Sequence, residues 1–183
     1  MEALSALAES SYELVALIGE GGMGRVYRAI HRPSGRIVAV KMLRSEARDD
    51  PGRRRLLLDE ATAAARLAHA NIVALLDVGR DPHGSPYLVM ELVDGFDVSA
   101  WVRSWPGWPV IAQGLDDILS ALAEAHAAGI VHRDLKPENF LVERATGRVK
   151  IVDFGIARVV DPLLGDSRRM GIAGTPVYMA PEQ

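Results

Sequence analysis

A glycine-rich segment near the start of the chain is the first feature that could do chemistry. Gly19-Glu20-Gly21-Gly22-Met23-Gly24-Arg25-Val26 has the spacing G-x-G-x-x-G-x-V, and a backbone without side chains can approach phosphate groups closely. A dinucleotide-binding fingerprint needs a helix after the glycines, whereas residues 25–30 have the composition of a strand. A Walker A loop needs Lys and then Ser or Thr after its last glycine, where Arg25 and Val26 stand. The segment therefore predicts either a phosphate-covering hairpin or an ordinary glycine-rich turn.

Two opposite charges fall at positions that the pattern expects to be buried. In Val38-Ala39-Val40-Lys41 the alternation of a strand places the ammonium group on one face with Ile37, Ala39 and Leu43. Glu60 lies among apolar residues of a predicted helix. Either charge would be costly to bury alone, and each is tolerated if it pairs with the other. The sequence therefore predicts a Lys41–Glu60 ion pair, with two separate surface-directed charges as the alternative.

The densest set of chemistry-bearing residues lies in the second half of the chain. His132-Arg133-Asp134-Leu135-Lys136-Pro137-Glu138-Asn139 is followed by Asp153-Phe154-Gly155 and, later, by Ala180-Pro181-Glu182. In this order with the glycine-rich segment and the V-A-x-K run, these motifs resemble the signature set of the eukaryotic-type (Hanks-type) serine/threonine protein kinase family. Residues 136–139 are similar to serine/threonine kinases and not to tyrosine kinases, while 21–27 and 174–183 are similar to bacterial members. The resemblance extends over residues 12–183.

The resemblance implies a role for each motif in phosphoryl transfer, with ATP and Mg²⁺ as cofactors. Asp134 would orient a substrate hydroxyl and accept its proton, and Lys136 would neutralise charge on the transferred phosphoryl group. Asn139 and Asp153 would be the Mg²⁺ ligands, because this ion prefers oxygen donors. The ATP-binding set would comprise Ile18, Gly19, Glu20, Gly21, Gly22, Met23, Gly24, Val26, Ala39, Lys41, Glu60, Met90, Glu91, Val93, Leu141 and Val152.

Within the ATP-binding set the resemblance implies a division of labour. The three spaced glycines would cover the phosphates, and Lys41, held by Glu60, would bind the α- and β-phosphate oxygens. Met90 would be the gatekeeper, with the backbone of Glu91 and Val93 reading the edge of adenine. The apolar residues that would sandwich the base are Ile18, Val26, Ala39, Leu141 and Val152.

Regulation and partners are implied by the same resemblance. The partner would be a protein with a Ser or Thr acceptor, in a signalling role, and self-phosphorylation is compatible with this. Arg133 before Asp134 suggests that a phosphate orders the activation segment through charge-assisted pairing. Ser167 is the acceptor candidate, because it is the one hydroxyl side chain between Gly155 and Gly174. Thr175 would be a fixed contact to Asp134 and Lys136.

The expected fold class is α+β, a protein-kinase-like two-lobed fold. Its parts would be an N-terminal tail at 1–11, an antiparallel-sheet N-lobe at 12–92 and a partial, helical C-lobe at 93–183. The family's domain continues beyond the A-P-E motif, so we expect the sequence to be a fragment of a longer kinase or a truncated gene product. A nucleotide-binding pseudokinase scaffold and an inactive fragment that acts by partner binding are the alternatives.

The elements that must position these motifs can be read from the hydrophobic pattern. Strand composition predicts strands at 12–18, 25–31, 36–43, 72–78 and 87–93, and short apolar runs at 130–131, 140–142 and 149–152. Asp50-Pro51 predicts the start of a helix that runs to about Ala68. Its buried stripe would be Leu56, Glu60, Ala64 and Leu67. A second helix at 111–128, ending at Gly129, would turn inward Leu115, Ile118, Leu119 and Leu122.

Composition excludes several classes of protein. The chain has 21 Lys and Arg against 24 Asp and Glu, a net charge of −3, so a broadly basic nucleic-acid binder is not expected. No apolar run approaches the length of a membrane span, and the first residues lack the basic region of a secretory signal. The chain contains no cysteine, which excludes thiolate catalysis and Cys-ligated zinc. We expect a cytoplasmic protein without a membrane segment.

Overall fold

The computed structural model describes residues 7, 10–21, 24–104, 106–153, 158–159 and 176–178, with residues 158–159 and 176 described by their backbone alone. The chain divides into two units, one made of residues 1–61 and 74–92 and the other of 62–73 and 93–183. Residues 62–73 thus belong to the second unit, whereas the sequence-based division at residue 92 put them in the first. The α+β class is confirmed, with an antiparallel sheet in the first unit and the longest helix in the second.

The first unit is built on a five-stranded antiparallel sheet. Its strands lie in the order β1-β2-β3-β5-β4, and the three strands predicted before residue 44 are confirmed. Strand β4 begins three residues later than predicted, because residue 72 instead forms an isolated bridge with Ile151. The bounds are β1 Tyr12–Gly21, β2 Gly24–His31, β3 Arg36–Met42, β4 Leu75–Arg80 and β5 Pro86–Glu91.

The two faces of this sheet carry different apolar clusters. One face, which includes Leu7 from before β1, buries aromatic and branched side chains at Tyr12, Tyr27, Val38, Val40, Tyr87 and Val89. The other face packs Leu43 and Leu88 against the first helix. Because side chains alternate along a strand, Val38 and Val40 fill the first cluster, while Ala39 and Lys41 point to the helix side. The sheet is therefore buried on both faces around β3.

Helix α1 runs from Pro51 to Ala64 and ends earlier than predicted. Its start is confirmed: the carboxylate of Asp50 accepts the backbone N–H groups of Gly52 and Arg53, as an N-cap does. The predicted stripe was wrong at Leu56, which is 47% exposed. The buried residues are Leu57, Glu60, Ala61 and Ala63. The helix is rotated so that Leu57 and Ala61 flank Glu60 against the sheet.

The second unit combines one long helix with short strands. Strands β6, β8 and β9 form a three-stranded sheet, and β7 pairs with β10. The short apolar runs predicted at 130–131, 140–142 and 149–152 lie in strands β7, β8 and β9. Helix α2 was not predicted, and the carboxylate of Asp97 caps it by accepting the Ala100 N–H. The bounds are β6 Gly95–Asp97, α2 Val98–Arg103, α3 Trp108–Ala127, β7 Ile130–Val131, β8 Phe140–Glu143, β9 Val149–Ile151 and β10 Arg158–Val159.

The inward face of α3 agrees with the prediction at Ile118 and Leu122, which pack against a buried apolar cluster, and differs from it at Leu115 and Leu119. Leu115 and Leu119 are 55% and 64% exposed, and the buried positions are Gly114, Asp117, Ala121 and Ala125. The small residues allow close packing, since any side chain at position 114 would collide with the ring of Trp101. The space available for close packing, and not the size of the apolar side chains, therefore decides which face of α3 is buried. None of the helices in the described ranges combines the length and hydrophobicity that a bilayer span requires.

Candidate active site

Five residues of the predicted ATP-binding set share one face of the sheet in the first unit. Gly19 lies opposite Val26, which lies opposite Lys41, and Ala39 lies opposite Met90. Cross-strand partners point to the same side of a sheet, and Ala39 and Lys41 are two residues apart on β3. Their common face is the one that packs against α1. The register thus gathers residues that are far apart in the sequence.

Lys41 and Glu60 form the ion pair that the pattern predicted. The Lys41 ammonium donates to both carboxylate oxygens of Glu60 at 2.8 and 2.9 Å, and the two residues are 4% and 2% exposed. Both charges are removed from water and satisfied through a bidentate contact. The alternative of two separate surface charges is wrong. The ammonium is consequently fixed on the helix side of β3.

The glycines of the hairpin between β1 and β2 have different surroundings. A side chain at position 24 would collide with the backbone carbonyl of Met42, so the absence of one is required by the packing of β2 on β3. Gly21 has open space around its Cα, and at Gly19 a side chain would meet Val26 only at ordinary contact distance. Gly21 is therefore the position where a ligand could approach the backbone. Gly22 and Met23 lie outside the described residues.

The predicted adenine contacts are distributed over both units. In the first, Ile18 is 49% exposed, while Ala39 is buried. The backbone N–H of Glu91 donates to the carbonyl of Ala74 at 3.0 Å, so its carbonyl and not its N–H is the group that could read a base. In the second, the half-buried residues are Val93, Leu141 and Val152.

The loop between β7 and β8 brings together the two predicted catalytic residues and one predicted metal ligand. The Lys136 ammonium lies 2.9 Å from a carboxylate oxygen of Asp134. Asn139 is buried, and its side-chain N–H₂ donates to the backbone carbonyl of Asp134 at 2.8 Å. The Asn139 backbone N–H donates to the Lys136 carbonyl, and the Asn139 carbonyl accepts from Val152. A carboxylate and an ammonium group thus lie side by side in a loop that the buried Asn139 amide holds.

His132 anchors the backbone of this loop. It is 1% exposed, and its Nδ1 accepts the backbone N–H of Asp134 at 3.3 Å. Burial lowers the pKa of the His132 imidazole, while a hydrogen bond to the Val152 backbone and the charges of Asp153 and Asp134 act in the opposite direction. A buried ring whose Nδ1 accepts a backbone N–H holds the loop, which agrees with the predicted role as an anchor.

Two non-glycine residues near the loop have left-handed backbone angles. Arg133 and Asp153 both have a φ of 65°, a conformation that Asp tolerates better than Arg. Such strain persists only where the surrounding structure fixes it. Here the neighbours Asp134 and Val152 are tied to His132 and Asn139. Nothing in the spacing of the motifs indicated these angles.

The oxygen donors of this unit fit a divalent cation. Because the Asn139 Nδ2 is committed to the Asp134 carbonyl, its Oδ1 is the atom that can bind a cation. Asp153 adds a carboxylate, and a carboxylate with an amide oxygen is a donor set suited to Mg²⁺. The chemistry of the residues therefore matches the predicted metal ligands, Asn139 and Asp153.

Two residues that position Asp153 were missed by the sequence analysis. Asp117 accepts the backbone N–H of Val149 at 3.0 Å, and the Asn71 side chain donates to the carbonyl of Val149 at 2.8 Å. Both polar residues are buried and hold the start of β9, the strand that leads to Asp153. The sequence signal that could have identified Asp117 is a carboxylate on the same face of α3 as Gly114, Ala121 and Ala125. Ser167, Thr175, Phe154 and Ala180-Pro181-Glu182 lie outside the described residues.

Comparison with known proteins shows a match to protein kinases along nearly the whole chain. Residues 12–183 match the family profile described as Protein kinase domain. The chain is 41% identical to serine/threonine-protein kinase pkn3 of Myxococcus xanthus, 43% to probable serine/threonine-protein kinase PknB of Corynebacterium glutamicum and 42% to serine/threonine-protein kinase PknA of Mycobacterium tuberculosis. Each match covers 94% of the chain but only 33%, 27% and 41% of the relative. The chain thus spans well under half the length of these curated relatives.

Proposed function

The chain belongs to the protein kinase domain family, and on that premise we propose that it transfers the γ-phosphoryl group of Mg-ATP to Ser or Thr hydroxyls of proteins. The observation that carries the proposal is the loop in which the Lys136 ammonium lies 2.9 Å from the Asp134 carboxylate and the buried Asn139 holds the Asp134 backbone. Transfer of a phosphoryl group from ATP to a hydroxyl needs a base for the hydroxyl proton and a positive charge near the phosphoryl oxygens. This pair offers both.

The residues of the chain have separable tasks in this proposal. The Asp134 carboxylate takes up the proton of the substrate hydroxyl, and Lys136 lowers the cost of negative charge on the phosphoryl oxygens. Asn139 Oδ1 and the Asp153 carboxylate hold Mg²⁺, which supplies neutralisation of phosphate charge when bound. Lys41, fixed by Glu60, orients the α- and β-phosphates. Most of the catalysis therefore comes from positioning and electrostatics.

We expect the 183-residue chain to bind ATP in a magnesium-dependent manner, because the proposed contacts at Asn139 and Asp153 reach ATP through the metal. Isothermal titration calorimetry with ATP, in Mg²⁺ and in EDTA, measures the two affinities. The expected result is clearly tighter binding in Mg²⁺, with Asp94→Asn as a control that changes an exposed carboxylate of the same unit. Equal or absent heats in both buffers, on folded protein, would refute nucleotide use at this site.

We expect Ser167 to acquire a phosphate when the chain is incubated with Mg-ATP. A phosphate on Ser167 would pair with Arg133 through charge-assisted hydrogen bonds in this proposal. Tandem mass spectrometry locates the modified residue, and Ser167→Ala is the matched variant that loses it. Active protein with phosphate at other residues and none at Ser167 would contradict the assignment.

The cellular setting is also part of the proposal. The family membership supports a protein substrate and a role in signalling, and the need for ATP supports a cytoplasmic location. Nucleic acid is not proposed as a partner, because the net charge is −3 and phosphate neutralisation would need an excess of basic residues.

A further inference from the structure

A small charge cluster lies beside the glycine-rich hairpin of the first unit. The Oε1 atom of Glu20 accepts from Arg25 Nε at 3.2 Å and lies 3.2 Å from Arg44 Nη2. Arg25 is the cross-strand partner of Glu20 in the hairpin. Arg44 lies two residues after Met42, the last residue of β3. One carboxylate oxygen therefore connects the end of the hairpin to the segment that comes after Lys41.

A second carboxylate completes the balance of charge in this cluster. A hydrogen bond to its own backbone N–H lowers the pKa of Glu46 most, the Ser45 hydroxyl adds to this, and the charges of Arg25 and Arg44 act in the same direction. The two guanidinium groups are thus opposed by two carboxylates. Among the described residues, Arg44 Nε is buried without a hydrogen-bond partner, so Arg44 keeps this orientation despite a cost.

The hairpin is fixed on its other strand by a different contact. Gly24 lies so close to the Met42 carbonyl that no side chain fits between them, and Val26 is the register partner of Lys41. The β2 side of the hairpin is therefore set by backbone packing on β3. On the β1 side of the hairpin, the Glu20 side chain contacts Arg44, in the segment that follows β3.

We propose that Glu20 is a positioning residue that, through Arg25 and Arg44, holds the glycine-rich hairpin in place relative to Lys41. This rests on the proposed function, because the triphosphate of ATP is what the hairpin and Lys41 would bind together. Glu20 itself does not contact the nucleotide in this proposal. A free carboxylate beside phosphates would repel them, whereas here its charge is shared between two arginines.

The test compares Glu20→Gln, Arg44→Gln and the double variant in the full chain. We expect each single change to weaken Mg-ATP affinity about three- to fivefold in calorimetry, the upper range for half-exposed ion pairs. The double variant should be no weaker than the worse single variant, because both remove the same link. Amide hydrogen exchange in the peptide 12–31, measured without nucleotide, should be faster in all three.

Matched controls come from the exposed Arg55–Asp59 pair of α1, whose atoms lie 2.9 Å apart. Asp59→Asn and Arg55→Gln make the same changes in net charge in the same unit, and we expect unchanged affinity and exchange. Raising NaCl to about 0.5 M should shrink the difference between wild type and Glu20→Gln, because salt screens exposed charges. The thermal midpoints of variants and controls should agree, which separates positioning from stability.

Each result decides the matter. Wild-type chain that binds Mg-ATP while Glu20→Gln binds equally well or more tightly would overturn the inference, as would effects that multiply in the double variant. Wild-type chain that binds no Mg-ATP would overturn the proposed function instead. Hydrogen exchange in the peptide 12–31 would then test the hairpin link alone. Faster exchange in the variants than in the wild type would support the link, and unchanged exchange would refute it.

Discussion

Asp134→Asn is expected to lower the rate of phosphoryl transfer about 10²- to 10⁴-fold, the usual effect of losing a positioned proton acceptor. Asparagine keeps the size of the side chain, and the backbone contacts of Asp134 with His132 and Asn139 do not involve the carboxylate. The loop should therefore stay folded, and Mg-ATP affinity should remain close to that of the wild type. The change removes the carboxylate that accepts the proton and, with it, the ion pair to Lys136.

Initial rates with a Ser/Thr peptide and calorimetry with Mg-ATP, on the same preparation, measure the two quantities. Asp94→Asn makes the same chemical change at an exposed carboxylate of the same unit that lies 3.8 Å from Arg144, and it should leave both unchanged. The role assigned to Asp134 fails if Asp134→Asn turns over at a near-normal rate in a preparation that is otherwise active.

Lys41→Met should act on stability as well as on the nucleotide. Removing the ammonium leaves Glu60, 2% exposed, as a buried carboxylate without its 2.8 Å contact. Breaking one side of a buried ion pair costs about 3–5 kcal/mol. We therefore expect the free energy of unfolding in urea to fall by this amount, together with the loss of Mg-ATP binding.

The double variant Lys41→Met, Glu60→Leu separates these two effects. Replacement of a buried pair by apolar residues of similar size is often neutral or stabilising, and Leu57 and Ala61 already provide apolar surroundings. Stability should return while Mg-ATP binding stays absent. Recovery of binding in the double variant would show that the Lys41 ammonium has no role in holding phosphates.

The sequence was most informative where the local pattern and the chemistry agree. Strands β1 to β3 and the Lys41–Glu60 pair could be predicted, because alternation on β3 and the cost of a buried charge both constrain the answer. Asp50 likewise identified the start of α1, since an N-cap satisfies backbone groups next to it. These features depend on neighbours in the sequence or on a single charge pair.

What could not be predicted depends on packing between distant segments. The face of α3 is set by the fit of Gly114 against Trp101, and a helical pattern of large apolar residues at 115 and 119 pointed to the wrong side. The contacts of Asn71 and Asp117 with Val149 join segments far apart in the chain. The left-handed angles of Arg133 and Asp153 leave no trace in the spacing of the motifs.

The hydrogen bonds of Asn139 have a consequence for how this position can evolve. Codons for asparagine and aspartate differ by one base, so mutation offers the exchange readily. Aspartate would present the same oxygen to a cation, but it would lose the donor to the Asp134 carbonyl and set a negative charge against that oxygen. A substitution that needs only one base change is thus one that this buried site disfavours.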